Sequence, residues 1–179
     1  MPQKTFELTS ETLKEHIPEL SVGDRVYLSG IIFTARDAAH KRIFECLESG
    51  AELPFPIKGS IVYYAGPTPA KNGMAVGSCG PTTSSRMDGF APRLMDMGQI
   101  ATIGKGDRSP EVIEAIKRNG AVYLCAVGGA GALIAKSIRS AQEIAFPELG
   151  CESVKRLEVS RLPLIVGIDS RGNCIFERN

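Results

Sequence analysis

The spacing of apolar and polar side chains along this 179-residue chain changes period several times, and each change marks an element. Residues 25–33 (RVYLSGIIF) are dense in β-branched and aromatic side chains, which suit a pleated surface, and predict a strand. The polar loop Thr34-Ala35-Arg36-Asp37 follows. Over residues 38–49 the period turns helical: Ala39, Ile43, Cys46 and Leu47 fall at i, i+4, i+7 and i+8 on one apolar face, and Gly50 ends the run. The order strand, glycine-bearing loop, helix then recurs. Residues 60–64 and 100–103 are short strand candidates. Ser109 is a good N-cap, Pro110 stands at the first helical position, and Gly120 closes the helix between them. Residues 121–127 predict a buried strand, with a helix from Gly128 to about Ile138 behind it. Residues 9–17 predict a short helix capped by Thr9 or Ser10. Met87, Phe90, Ala91 and Leu94 keep a helical period, although Gly89 and Pro92 argue against one straight helix. Near the C-terminus, residues 164–169 and 173–177 flank the turn Ser170-Arg171-Gly172 and predict a hairpin.

Strands and helices alternate, so the class is α/β. No repeat or low-complexity tract interrupts the chain, which reads as one domain over residues 1–179. In such folds the loops that follow the strands carry the chemistry.

Composition narrows the class. Hydrophobic residues make up 43% and charged residues 23%, as in an ordinary globular protein, which excludes a disordered chain. The apolar stretch at residues 122–135 has 14 residues and three glycines, too short for a spanning helix. The formal charge of +1 provides no global field to draw the chain onto nucleic acid or an anionic membrane, so a basic site must be local. The five cysteines, Cys46, Cys79, Cys125, Cys151 and Cys174, are widely spaced, and only His16 and His40 accompany them. That is no zinc or ferredoxin pattern. With no hydrophobic signal core in MPQKTFELTS, the expectation is a reduced, cytoplasmic protein with mostly buried thiols.

Three of the loops carry a cation: Arg36 after the first strand, Arg86 behind Gly80-Pro81, and Lys105 between two glycines. Cations and helix N-termini on one sheet edge bind a carboxylate or phosphate; the plain alternative is three solvated surface charges. Four consecutive hydroxyl residues, Thr82-Thr83-Ser84-Ser85, stand behind Gly80-Pro81, and a helix from Thr83 would put Thr82 and Arg86 on one side. One cap explains one hydroxyl, not four. Gly129-Ala130-Gly131 matches neither nucleotide-loop spacing and reads as close packing at a strand-to-helix turn. Cys79 reads by default as buried packing, and His40 as a hydrogen-bonded structural residue rather than a base.

Taken together, Thr34-Ala35-Arg36-Asp37-Ala38-Ala39-His40, Tyr64-Ala65-Gly66-Pro67-Thr68-Pro69, Gly80-Pro81-Thr82-Thr83-Ser84-Ser85-Arg86-Met87-Asp88 and Ile103-Gly104-Lys105-Gly106 resemble, in order, the C-terminal part of class I, iron–sulfur-dependent fumarate hydratases. In two-subunit members this part is a separate β subunit, and the β subunit of L(+)-tartrate dehydratase is of the same family. The resemblance runs from about residue 8 to residue 177.

It implies a swivelling β/β/α domain and a hydro-lyase that adds water reversibly across a double bond between two carboxylates, most simply fumarate to L-malate. It also implies a [4Fe–4S] cluster held by three cysteines of a partner α subunit, with no metal ligand in this chain. The open iron acts there as a Lewis acid. By the same resemblance Thr82 matches the general base at the substrate's C3. Arg36, Arg86 and Lys105 match residues that bind the dicarboxylate and keep Thr82 reactive. The choice of Thr82 over Thr83 rests on the four-residue spacing to Arg86. The expected assembly is α2β2-type or homodimeric, active only with the α subunit, and Leu53-Pro54-Phe55-Pro56 is a candidate docking loop. L(+)-tartrate dehydration to oxaloacetate and a non-catalytic dicarboxylate-binding module are the alternatives, with a nucleotide-binding enzyme a weaker one. The residues suit a dianion, because Arg binds carboxylates in a bidentate manner and a threonine hydroxyl becomes basic only beside positive charge.

Overall fold

The computed structural model describes residues 2–127 and 129–176. Seven strands form one sheet: β1 (Thr5–Thr9), β2 (Arg25–Thr34), β3 (Ile61–Tyr63), β4 (Ala101–Gly104), β5 (Val122–Cys125), β6 (Ile138–Ala145) and β7 (Val154–Ile168). Neighbours follow the order β1-β2-β3-β4-β5-β7-β6, and β2 also pairs with β7. The extra pairing closes a five-stranded ring, β2-β3-β4-β5-β7, with β1 added on β2 and β6 on β7. Strands β2 to β5 run parallel, and β7 returns antiparallel between β5 and β2.

The ring is filled by Val26, Leu28, Ile32, Ile61, Tyr63, Ile103, Leu124, Leu157, Leu162 and Val166, all buried. The helices α1 (Leu13–His16), α2 (Asp37–Ser49), α3 (Ala91–Asp96), α4 (Pro110–Asn119) and α5 (Gly131–Ala135) pack around it, and α1 and α5 set Leu13, Ile134 and Ala135 into the ring's own core. Helix α2 turns Ala39, His40 and Ile43 inward onto Val62, Tyr64, Phe55 and Met87. Helices α3 and α4 pack Ala91, Met95, Val112 and Ile116 against Tyr123 and Ile168. None of the described helices is long and apolar enough to cross a membrane.

The α/β reading holds, and α2 and α4 form where their periods place them. Ser109 Oγ accepts from Val112 N–H at the start of α4, and Gly50 and Gly120 end α2 and α4 in the left-handed region. Four expectations are corrected. The first helix is only Leu13–His16, continued by a 3-10 turn, Ile17–Glu19, and its cap position is Thr12. Pro18 at the junction removes the donor that a longer helix would need. The helix expected to reach Ile138 is Gly131–Ala135, and Ile138 instead opens β6. Of that run, Gly128 lies outside the described residues. The C-terminal hairpin shrinks to one bridge, Ile168 to Cys174, because β7 spends its pairing on β2, β5 and β6; Glu177 lies outside the described residues. The loop Leu53-Pro54-Phe55-Pro56 turns its largest side chain into its own core rather than outward: Phe55 is buried and stacks on Phe33 with ring centres 4.4 Å apart.

Candidate active site

Strands β2, β3 and β4 are parallel neighbours, so they end on one edge of the ring, and the residues just past those ends meet there. Arg36 follows β2 and is the extended N-cap of α2. Its carbonyl accepts the His40 backbone N–H at 2.9 Å and the His40 Nδ1–H at 2.8 Å, which fixes where its side chain starts. The Arg36 side chain passes over Gly66, beyond β3, and its Nε lies 3.6 Å from Glu152 Oε1.

Thr82 lies between two strand ends. Its N–H donates to the Tyr64 carbonyl at 2.7 Å, and its carbonyl accepts from Lys105 N–H at 3.4 Å. The chain runs on alongside: Thr83 bridges to Lys105, and Ser84 N–H donates to the Lys105 carbonyl at 2.8 Å. Lys105 is half-buried, and its Nζ makes no hydrogen bond or ion pair among the described residues. The Thr82 hydroxyl is likewise without a hydrogen bond among them.

The helix expected from Thr83 is a 3-10 turn, Ser84–Met87, and Thr82 stands outside it. Its neighbour Thr83 is extended rather than helical, at φ −57° and ψ 116°, because this segment pairs with Tyr64 and Lys105 instead of with itself. The four-residue helical spacing from Thr82 to Arg86 therefore does not apply. What separates the two threonines is burial: Thr82 is half-buried on the edge, while Thr83 is exposed. Arg86 is tied in differently. Its Nε donates to Asp37 Oδ1 at 3.2 Å and its Nη2 lies 2.9 Å from Asp37 Oδ2, next to Arg36 in the chain. Arg36, Thr82 and Lys105 are thus linked through strand ends, and Arg86 through Asp37. The side of the site carrying Thr83, Ser85 and Arg86 is open to solvent.

Arg108 was not singled out among the loop residues. Its side chain is 0% exposed. Its Nε donates to Asp88 Oδ1 at 2.7 Å, its Nη1 to Thr102 Oγ1 at 3.0 Å and its Nη2 to the Tyr64 hydroxyl at 3.2 Å. The one sequence signal was its place beside an N-cap, where the helix dipole disfavours a cation unless an anion accompanies it.

His40 is buried between Tyr64 and Phe90, and burial lowers its pKa from 6.5 to about 4. It is neutral and a donor to Arg36, as the structural reading expected. Its folded pKa lies below the unfolded one, so its stability contribution is complete above pH 6.5 and is lost as pH falls toward about 4. At about 1.4 kcal/mol per unit this amounts to roughly 3 kcal/mol. Thermal melts between pH 7 and pH 4 should show this slope, and His40→Gln should flatten it; an unchanged slope in the variant would assign the loss to other groups.

Burial pushes the Cys79 thiol up to about 12 and Cys125 up to about 11, so neither is a ready nucleophile. At Gly131 a Cβ would come within 2.4 Å of Ser78 Oγ and 3.0 Å of Gly80 N, which supports close packing rather than a nucleotide loop. Among the described residues no three His, Cys, Asp or Glu side chains gather to hold a metal ion. The chain's cysteines therefore do not fit an iron–sulfur cluster.

Comparison with known proteins agrees with the motifs. Residues 2–179 match the family described as Fumarase C-terminus. Fumarate hydratase 2 of Leishmania major is 39% identical over 170 residues, which is 94% of this chain and 30% of that protein. The aerobic class I fumarate hydratase of Escherichia coli is 39% identical over 171 residues, 93% of this chain and 31% of that protein. The chain thus spans about a third of these longer relatives. A protein of Methanocaldococcus jannaschii, provisionally named as the subunit beta of L(+)-tartrate dehydratase, is 44% identical over 170 residues, covering 92% of this chain and 87% of that one. The chain belongs to the fumarase C-terminus family.

Proposed function

We propose that this chain is the β subunit of a heteromeric [4Fe–4S]-dependent hydro-lyase that interconverts fumarate and L-malate. The observation that carries this reading is the edge itself: Arg36, a half-buried Thr82 hydroxyl and a Lys105 Nζ without a bond among the described residues, linked through adjacent strand ends, with Arg86 joined to them through Asp37. A C4 dianion needs several cations, and Arg36, Arg86 and Lys105 supply them. Thr82, as its alkoxide, takes the proton from C3 of malate while the C2–O bond breaks and hydroxide departs; on hydration hydroxide adds at C2 and Thr82 returns the proton to C3. The positive charge around it lowers the cost of the alkoxide. The cluster is assigned to the α subunit, since among the described residues no three His, Cys, Asp or Glu side chains gather to hold it.

Further observations support a divided enzyme. Fumarate hydratases of the family carry this region as 30–31% of a longer chain, whereas the relative of similar length is named a subunit beta. The site is open on one side, as half of a shared site would be. We read the closed ring with its outer helices as a swivelling β/β/α domain made by the chain as one unit. Its five cysteines are all free, which supports a reducing, cytoplasmic setting.

The purified chain alone should show no hydratase activity, and anaerobic mixing with its cluster-bearing α subunit should produce it. The mass of the reconstituted species checks the α2β2 stoichiometry. Tight malate binding by the isolated chain in calorimetry, with no gain from any partner, would instead identify a stand-alone binding module. The 44% identity to the protein provisionally named a tartrate dehydratase subunit favours one second reading, dehydration of L(+)-tartrate to oxaloacetate. Both substrates belong in the same assay.

A further inference from the structure

Resting on that reading, we propose that the buried Asp88–Arg108 pair is a positioning device that locks the Thr82–Arg86 segment to the Lys105 loop. Asp88 ends the 3-10 turn that carries Arg86, and Arg108 stands three residues beyond Lys105. The Asp88 carboxylate uses both oxygens: Oδ1 accepts from Arg108 Nε and Oδ2 accepts from Ser109 N–H, each at 2.7 Å. One anion therefore holds the Arg108 fork and the N-cap residue of α4 together.

The guanidinium then spreads the tie across the sheet. It reaches Thr102 on β4 and the Tyr64 hydroxyl past β3, and lies between the rings of Tyr64 and Tyr123, 5.2 and 4.9 Å from their centres. Tyr64 is also the residue whose carbonyl receives Thr82 N–H. Tyr123 completes the circuit: its hydroxyl meets Ser84 Oγ at 2.9 Å and donates to the Gly106 carbonyl at 2.8 Å. Thr82, Ser84 and Gly106 are all bonded to residues that Arg108 braces, and Lys105 is bonded in turn to Thr82 and Ser84. A lysine in its place would keep the charge and lose the planar fork that serves three acceptors at once.

The experiment uses Arg108→Lys and Asp88→Asn with two readouts. Amide hydrogen exchange on the isolated chain is expected to speed up together at residues 82–86 and 104–108, while β7 stays protected. In the α-reconstituted enzyme kcat/KM is expected to fall by about 10²-fold, the scale of a 1 Å misplacement. The loss should largely vanish in a Thr82→Ala background, because the group being positioned is gone. A purely structural pair would give additive losses instead. Unchanged exchange at both loops, additive losses, or near-wild-type kcat/KM in a folded variant overturns the lock. If exchange rises at both loops but the wild-type assembly neither hydrates fumarate nor dehydrates tartrate, the lock stands and the hydro-lyase reading fails.

Discussion

Replacing Thr82 by alanine is expected to lower turnover of the reconstituted enzyme by about 10²–10⁴-fold, the usual contribution of a general base, with little change in KM. The separation follows from the geometry. Substrate binding is assigned to Arg36, Arg86 and Lys105, whose positions do not depend on the Thr82 side chain. The Thr82 backbone groups make the bonds to Tyr64 and Lys105, and alanine keeps both. The variant should therefore fold and bind while losing the acceptor for the C3 proton. Thr83→Ala is the matched control, since Thr83 is exposed and bridges to Lys105 only through its backbone. Its turnover should stay near wild type. Near-wild-type turnover in Thr82→Ala, or a larger loss in Thr83→Ala, would remove Thr82 as the base.

Gly104→Ala is expected to destabilise the chain by about 2 kcal/mol, within the range for overpacking, and to lower Tm by roughly 6 °C. A Cβ at Gly104 would sit 1.9 Å from Ser84 Oγ and 3.1 Å from Tyr64 Cδ2. The serine must then rotate away, giving up its bond to the buried Tyr123 hydroxyl. Activity should fall as well, because Lys105 is the next residue and the displaced Ser84 is two residues from Thr82. Combining Gly104→Ala with Ser84→Ala removes the colliding oxygen and should recover part of the Tm. No recovery would place the strain at Tyr64 instead. Differential scanning calorimetry on the single and double variants measures both effects.

Local signals were legible where one stretch of chain settles its own structure. The helix over Pro110–Asn119 formed with its Ser109 cap and Gly120 stop because capping is a contact between near neighbours. The strand at residues 25–33 formed because its side chains fit a buried pleat. Strand β7 was largely missed, for a physical reason. Its buried Val154, Leu157, Val159, Leu162 and Leu164 are spaced alternately three and two residues apart, so the period-2 pattern slips at Lys155-Arg156 and again at Ser160-Arg161, a bulge where Arg161 takes φ 51°. A period-2 pattern that breaks phase mid-strand does not read as one strand. The bulge belongs to the pairing with β2, around Leu28 and Gly30, far away in sequence.

The candidate site divides in the same way. Residue types and motif order were enough to mark Arg36, Thr82, Arg86 and Lys105, since a dianion calls for cations and a base near them whatever the fold. The helical spacing used to join Thr82 to Arg86 did not survive, because the segment's backbone pairs across to Tyr64 and Lys105. The Asp88–Arg108 pair was invisible as a unit, because burying a charge is stable only when its partner is brought to it. By itself, the sequence determined the α/β class, the family and the chemical inventory of the edge, all of which rest on residue identity and short-range order. Only the tertiary structure decided the closed ring, the partners of each cation and the different burial of Thr82 and Thr83. Those depend on contacts between segments tens of residues apart, which no local period encodes.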